Sequence, residues 1–162
     1  MLTIKSKSFL KLKYDLIKGK RIGQFKIPFT QLIPSLRFGD IGFNIGNDYF
    51  TILVPLKGDR RIGFIASGYK LINVGTEIAS AEFPSFGSKD HFRIEWGERE
   101  ITFLKRGGRN QIYLDGTLLG SIYRNFNNKK VDTIDISEKL PIEIQVFSYF
   151  AYKKYSEVSI GI

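Results

Sequence analysis

The stretch LPIEIQVFSYFAYKK, from Leu140 to Lys154, constrains the fold of this chain more than any other part of the sequence. Placed on a helix at about 100° per residue, its apolar side chains point in nearly every direction, which is typical of a buried helix. Pro141 suits a first helical turn, and Glu143 lies near the positive end of the helix dipole. The β-branched and aromatic content also allows a strand. The pattern favours a helix over about 138–153, too short to cross a bilayer.

Most of the remaining sequence indicates short strands separated by tight turns. Asp115-Gly116 and Gly107-Gly108 are hairpin signals, because Gly tolerates the positive φ of such turns. Turn signals recur about every ten residues, and this spacing is typical of a β-barrel or a β-sandwich. The 14 Phe and 8 Tyr residues suit the half-buried surfaces of such sheets.

A weak internal repeat links three of the turns. The stretches are GKRIGQF at Gly19–Phe25, GTLLGSI at Gly116–Ile122 and GDRRIGFI at Gly58–Ile65, the last with one extra residue. In each stretch the first Gly is expected in a turn and the second inside the following strand. A Gly inside a strand marks a bend, a bulge or a close backbone approach. Chance similarity between Gly-rich hairpins is the alternative explanation.

The layout of the chain resembles the tubby C-terminal-like superfamily, which includes tubby-like proteins, LURP-one-related proteins and phospholipid scramblases. The resemblance rests on YDLIKGKRIGQF, IYLDGTLLGSI and KLPIEIQVFSYFAYKK. It implies a mainly β fold, a closed antiparallel barrel of about 12 strands around one C-terminal hydrophobic helix. The chain is somewhat short for the family, and Tyr155–Ile162 could add a final strand. We therefore expect one domain over 1–162, with its central helix at about 138–153.

The candidate catalytic and metal-binding residues are few. The chain has no Cys and one His, His91, which excludes thiol chemistry, disulfides and His- or Cys-paired zinc sites. Glu95, Glu98 and Glu100 flank a turn, and a solvated hairpin face is favoured there over a glycosidase-type carboxylate pair. No phosphate-loop or nucleophile-elbow motif occurs. We expect a protein that is not an enzyme and has no cofactor or metal.

The start of the chain, MLTIKSKSFLKLK, has lysines but no apolar core or cleavage site of a signal peptide. No apolar run reaches the length that a transmembrane helix needs. The expected location is the cytoplasm, with peripheral contact with a membrane as an option. The oligomeric state stays open.

A net charge of +9 points to a phosphate-bearing partner. The basic residues gather at predicted turns, and charges at hairpin ends lie at barrel rims. We predict one anion-binding rim formed by Lys11, Lys13, Lys20, Arg21, Lys57, Arg60, Arg61, Lys105, Arg106, Arg109, Lys129 and Lys130. A further basic residue, Arg124, belongs to the same turn as the last two. The alternative is that the lysines only protect edges and loops from aggregation.

Anionic membrane lipid is the favoured partner, because the resemblance implies association with phosphoinositides or other membrane lipids. Nucleic acid is the alternative, although a single-strand binder interleaves exposed aromatic residues with its charges. Here Phe25, Phe43, Phe64 and Phe103 fall at strand positions expected of a core. A structural or protein-interaction domain with no phosphate ligand is the third reading.

Overall fold

The computed structural model describes residues 1–7, 12–29, 40–54, 56–59, 63–66, 68–84, 91–124, 131–137 and 139–160, and for 56–59, 63–66 and 157–160 it describes the backbone alone. The strands and the helix are β1 (Leu2–Ser6), β2 (Lys13–Lys18), β3 (Lys20–Lys26), β4 (Ile41–Ile45), β5 (Asp48–Leu53), β6 (Leu56–Asp59), β7 (Gly63–Ala66), β8 (Gly68–Asn73), β9 (Thr76–Glu82), β10 (Arg93–Trp96), β11 (Arg99–Arg106), β12 (Arg109–Leu114), β13 (Thr117–Arg124), β14 (Val131–Ile136) and α1 (Ile142–Ile160).

Within these residues, twelve strands close into one antiparallel barrel in the order β1-β14-β13-β12-β11-β10-β9-β8-β5-β4-β3-β2. β6 and β7 form a separate two-stranded sheet between β5 and β8 in the chain. Residues alternate between the barrel interior and solvent along each strand, as Phe50 and Ile52 of β5 do on the interior side. The expected fold class, a mainly β closed antiparallel barrel with one C-terminal helix, is confirmed.

The helix α1 fills the interior of the barrel. The eight consecutive residues Ile144–Ala151 are all buried, which is possible only if neighbours surround every side of a helix. The buried amide of Gln145 donates to the backbone oxygen of Leu140 at 2.8 Å, so this polar group is satisfied. The helix begins at Ile142 and ends at Ile160, later at both ends than the sequence indicated. No final strand forms over 155–160, because this stretch continues the helix.

The two ends of the barrel differ in their connections. Tight turns join β2 to β3, β4 to β5, β8 to β9, β10 to β11 and β12 to β13 at the end where α1 begins, which we call the turn end. The opposite end, the loop end, has the β11–β12 turn and the strand termini that longer connections join. The helix α1 finishes its passage at the loop end, where the Tyr155 ring contacts Phe83 and Phe92.

The sequence repeat corresponds to a bulged hairpin at the turn end. Strand register shifts beside Gly23 in β3 and beside Gly120 in β13, which leaves one extra residue in each of these strands. A Cβ added at Gly120 would lie 2.0 Å from the backbone oxygen of Asp135, so the strands approach too closely for a side chain. Strand β9 has the same register shift beside Ala79. The β8–β9 hairpin is therefore a third bulged hairpin of this kind.

The remaining stretch of the sequence repeat, Gly58–Ile65, does not form this bulged hairpin. Gly58 and Gly63 lie on the two facing strands of the β6–β7 sheet, where Gly58 pairs with Phe64 and Asp59 with Gly63. The expectation that Gly58 lies in a turn before the strand that contains Gly63 is wrong, because Gly58 lies inside β6. The two glycines are one residue further apart than in the other copies, and they lie on opposite strands of a hairpin.

Aromatic side chains from the strands pack on the helix. The ring of Phe150 lies 5.5 Å from that of Phe25 and 5.0 Å from that of Tyr69, measured between centroids. Phe43 is buried beside Phe25, and Phe103 packs against the core while remaining partly exposed. The core positions expected for these phenylalanines are confirmed, and the side chain of Phe64 lies outside the described residues.

Candidate functional site

The twelve basic residues predicted to form one rim are described to different extents. The side chains that the structure describes are those of Lys13, Lys20, Arg21, Lys105, Arg106 and Arg109. Lys57 is described by its backbone alone, in β6. The others, Lys11, Arg60, Arg61, Lys129 and Lys130, lie outside the described residues.

These six described residues lie at both ends of the barrel. Lys13 begins β2 and the Lys105–Arg109 hairpin joins β11 to β12, so these cations lie at the loop end. Lys20 and Arg21 begin β3 at the turn end, and the Arg21 side chain extends to Asp15 on β2, at 2.9 Å. Because the length of the barrel separates the two groups, Lys20 and Arg21 do not share a rim with the other described residues.

The charge of the described residues is strongly unequal between the two ends. When the charged residues with described side chains are assigned to an end by their position along the strands, the loop end has 12 cations and 4 carboxylates, and the turn end has 5 cations and 8 carboxylates. Three ion pairs among these residues connect the two groups: Arg21–Asp15, Lys70–Glu77 and Arg93–Glu100. The loop-end cations are Lys5, Lys7, Lys13, Lys26, Lys70, Arg93, Lys105, Arg106, Arg109, Arg124, Lys153 and Lys154, and the carboxylates there are Asp15, Asp40, Glu82 and Asp132. Among the described residues, the net charge is therefore positive at the loop end and negative at the turn end.

Like charges face each other across neighbouring strands at the loop end. Lys13 pairs with Lys26 in the β2–β3 register, and Arg106 pairs with Arg109 in the β11–β12 register. One such pair, Lys18 and Lys20, occurs at the turn end. Like charges directly opposite each other destabilise a sheet. An anion bound between them would relieve this repulsion.

A half-open pocket of about 350 Å³ lies in the mouth of the barrel at the loop end, and we call it the mouth pocket. One wall consists of side chains on the four strands β11–β14, and the other is the face of α1 that emerges from the barrel. Its charged lining residues are Lys105, Arg124, Asp132 and Lys153. Three positive charges and one negative charge therefore surround the pocket.

Asp132 is the centre of a network at the base of the mouth pocket. Arg124 Nε donates to its Oδ1 at 3.1 Å, Tyr149 Oη donates to its Oδ2 at 2.5 Å, and Lys153 Nζ lies 3.5 Å from Oδ2. Burial alone would raise the pKa of Asp132. The Tyr149 hydrogen bond and the charges of Lys153 and Arg124 outweigh burial and lower this pKa below its ordinary value. Asp132 is therefore a carboxylate that fixes the positions of its partners.

Aromatic residues hold the helix side of the pocket. Lys153 Nζ donates to Tyr149 Oη at 3.0 Å and lies 5.6 Å from the ring centre of Tyr14, within cation–π range. Burial, and then the nearby Asp132 carboxylate, raise the pKa of Tyr149 well above its ordinary value, so its hydroxyl stays protonated. Tyr152 donates to Asn110 Oδ1 at 3.1 Å, and burial raises its pKa too.

Sequence reasoning missed the mouth pocket, although the helix contains a signal for it. Tyr149, Tyr152, Lys153 and Ser156 line the pocket and follow the i, i+3, i+4, i+7 spacing of one helix face. They form one stripe of polar side chains along the second half of the helix. Asp132 gave no comparable signal, because its partner Tyr149 lies 17 residues away in the chain.

A second groove, of about 480 Å³, lies on the outer surface of the barrel near β3, β4 and β5, and we call it the outer groove. Tyr49 is 63% exposed there and lies across Gly42, where an added Cβ would come within 1.9 Å of the Tyr49 hydroxyl. Lys13, Lys26 and Asn44 also line this groove. It combines an exposed aromatic ring with two cations and one carboxylate, that of Asp40.

The candidate carboxylate pair lies on an exposed hairpin. Glu95 and Glu100 are directly opposite in the β10–β11 register, and Arg93 lies 3.8 Å from Glu100. Both glutamates and His91 are exposed. Arg99 pairs instead with Asp115 at 2.9 Å, and a backbone hydrogen bond from Glu100, followed by Arg99, lowers the pKa of Asp115. The described residues hold no group of three or more acidic or histidine side chains that could bind a metal ion.

A comparison of the chain with protein-family models, with curated proteins and with solved structures found no match in any of the three. The resemblance to the tubby C-terminal-like superfamily therefore stays a prediction. In the described part of the chain, no helix combines the length and the apolarity needed to span a membrane.

Proposed function

We propose that this protein is a non-enzymatic binding module that associates with anionic membrane surfaces through the loop end of its barrel. The observation that carries the proposal is the separation of charge: among the residues with described side chains, the loop end has 12 cations and 4 carboxylates and the turn end has 5 and 8. Each basic residue near an anionic surface contributes about 1 kcal/mol, so several together suffice for peripheral binding. The location that this proposal implies is the cytoplasmic face of a membrane.

Exposed apolar side chains occur at both ends, with Met1, Val74 and Leu118 at the turn end, so charge and not apolar exposure decides the orientation. Two exposed apolar side chains at the loop end suit contact with a membrane. Leu104 is 52% exposed on β11 beside Lys105 and Arg106, and Phe29 is 58% exposed after the loop-end terminus of β3. An apolar side chain beside cations can enter the interface region of a bilayer while the charges contact headgroups. The uneven charge also orients the barrel, because the turn end, with its excess of carboxylates, is repelled by the same surface.

Sedimentation with vesicles of phosphatidylcholine alone, or mixed with phosphatidylserine, tests the proposal at low salt. The double variant Arg106→Gln/Arg109→Gln removes two loop-end charges and should lower the partition coefficient about 30-fold. The matched control is Lys20→Gln/Lys139→Gln, which removes two exposed charges from the turn end. It should change binding by less than about threefold, since these charges face away from the membrane.

Two results would overturn the proposal. The unaltered protein would fail to sediment with phosphatidylserine vesicles at low salt, or the two double variants would lose binding equally. The second result would mean that total charge, and not the loop end, determines the attraction. Raising the salt concentration should release the bound protein, because exposed charges are screened within about 10 Å at about 0.1 M salt.

The outer groove supports a second candidate function, the binding of single-stranded nucleic acid. Its exposed Tyr49 lines the same groove as Lys13 and Lys26. Proteins that bind single strands combine such cations with aromatic side chains on which the bases stack. A labelled oligonucleotide should then bind with an affinity that falls linearly with the logarithm of salt concentration. Tyr49→Ala should weaken that binding by about 1–3 kcal/mol, and absence of binding at about 50 mM salt would remove this candidate.

A further inference from the structure

The mouth pocket offers more than general attraction for anions, because its charges line one half-open space. Its volume of about 350 Å³ lies within the range of about 300–1,000 Å³ that small-molecule sites occupy. Lys105 reaches it from β11, Arg124 from β13 and Lys153 from α1, so cations come from three different elements. A group bound between them would meet positive charge on several sides.

The side of β11 that faces the pocket can be distinguished from the side that faces solvent. Ile101 is fully buried in the barrel, and residues two and four positions further along the strand share its face. Lys105 therefore belongs to the interior face and lines the pocket, while Arg106 belongs to the outer face and does not line it. Two neighbouring cations thus face different surfaces of the protein.

The charge of the pocket matches a dianion. Lys105, Arg124 and Lys153 carry three positive charges, and Asp132 carries one negative charge, which leaves a net charge of +2. A phosphomonoester carries a charge of about −1.5 to −2 at neutral pH and offers three acceptor oxygens. A carboxylate or a phosphodiester carries only one negative charge and would leave one cation unbalanced.

The network of Asp132 positions two of the cations, Arg124 and Lys153, before any ligand binds. Arg124 Nε and Lys153 Nζ lie 3.1 Å and 3.5 Å from its carboxylate, and the aromatic rings of Tyr14 and Tyr149 flank the lysine. Side chains already held in place lose less conformational entropy when they bind a ligand. The volume left beyond a phosphate group is bordered by Ile122 and Tyr152, which suit an apolar portion of the same molecule.

We infer that the mouth pocket binds a phosphomonoester group, with Lys105, Arg124 and Lys153 as its cationic ligands. The group belongs either to a small soluble molecule or to a phosphomonoester headgroup of a lipid. In the second case the inference rests on the proposed function and names the headgroup that the loop end recognises. The chemistry of recognition is the same in both cases, and an experiment can separate them.

Isothermal titration with glycerol 3-phosphate tests the soluble source. Vesicles that contain phosphatidic acid, compared with phosphatidylserine vesicles of equal surface charge, test the lipid source. Lys105→Gln, which changes an exposed side chain, should weaken glycerol 3-phosphate binding about 10- to 100-fold, the size expected for a lost hydrogen bond to a charged group. It should also remove any preference for phosphatidic acid. Arg106→Gln is the matched control and should leave both unchanged while weakening attraction to both kinds of vesicle.

The outcomes separate the two proposals. If glycerol 3-phosphate does not bind and phosphatidic acid vesicles are not preferred, the pocket inference is wrong, and attraction to anionic vesicles can still hold. If Lys105→Gln and Arg106→Gln weaken glycerol 3-phosphate binding equally, the pocket is not the site. If Lys105→Gln alone abolishes that binding while neither vesicle is bound, the ligand is soluble and the membrane proposal is wrong. A phosphatidic acid preference that Lys105→Gln removes supports the lipid source.

Discussion

Replacing Phe150 by Ala tests whether the helix is enclosed by the barrel. The side chain is 2% exposed, and its ring lies 5.5 Å from Phe25 and 5.0 Å from Tyr69. Removing the ring loses about 2 kcal/mol of apolar transfer free energy. Each of the two aromatic pairs contributes about 0.5–1.5 kcal/mol more. We expect the free energy of unfolding to fall by about 4 kcal/mol, within the range of about 3–5 kcal/mol for buried Phe→Ala changes.

Urea denaturation followed by circular dichroism measures this loss as a lower midpoint with an unchanged slope. Phe29→Ala is the control, since it makes the same chemical change at a side chain that is 58% exposed. Its effect should stay within about 0.5 kcal/mol, as for other surface substitutions. If both variants lose the same amount, or if Phe150→Ala loses less than about 1 kcal/mol, then the helix is not enclosed and the reasoning from burial is wrong.

Four further substitutions test a turn, the β13 bulge with its turn control, and the network of the mouth pocket. Val74→Asn should raise the free energy of unfolding by about 1 kcal/mol, because Val74 has φ 49°, a conformation that Asn tolerates and β-branched residues disfavour; an unchanged melting temperature would contradict this. Gly120→Ala should cost more than about 2 kcal/mol, since the new Cβ would lie 2.0 Å from the backbone oxygen of Asp135. Gly107→Ala is the control, because Gly107 also has a positive φ but has open space around the added Cβ, and it should cost only about 1 kcal/mol. Equal losses of stability in the two variants would exclude the close strand approach as the cause. The pKa of Asp132 is lower in the folded chain than its ordinary 3.8. The contribution of Asp132 to the free energy of unfolding is therefore complete above pH 3.8 and is lost as pH falls through the folded pKa. In urea denaturation across pH, Asp132→Asn should reduce this loss of stability at acid pH, and curves that stay parallel to those of the unaltered protein would refute the assignment.

The types of element were predictable because local signals agreed with one another, whereas the closed barrel was implied only by the resemblance to the tubby C-terminal-like superfamily. The turn glycines Gly107 and Gly116 have the positive φ that their hairpins require, and the apolar pattern of Ile144–Ala151 indicated burial on every side. The C-terminal end of the helix was not predictable, because Lys153 suggested the last turn, where a cation interacts favourably with the helix dipole. The helix continues past it because the Tyr155 ring packs on aromatic residues of the loop end, a contact between distant parts of the chain.

The candidate site was predictable only as a charge. Sequence patterns identified Lys105, Arg106 and Arg109 as a basic turn, and the structure places this turn at the positively charged end. They also grouped Lys20 and Arg21 with it, although these two residues lie at the other end. The distance between two turns in the chain does not reveal which end of a barrel each occupies, because that depends on the number of strand reversals between them.

Residue types and their periodicity were enough to determine the classes of structure in this protein: Gly-bounded strands, an all-round apolar helix and an excess of positive charge. Only the closed barrel decided which charges are neighbours, by collecting carboxylates such as Asp48 and Asp115 at the turn end and cations at the loop end. It also brought Asp132 to Tyr149 and Lys153. Electrostatic interactions depend on separation in space and on burial, and strand order and α1 set both.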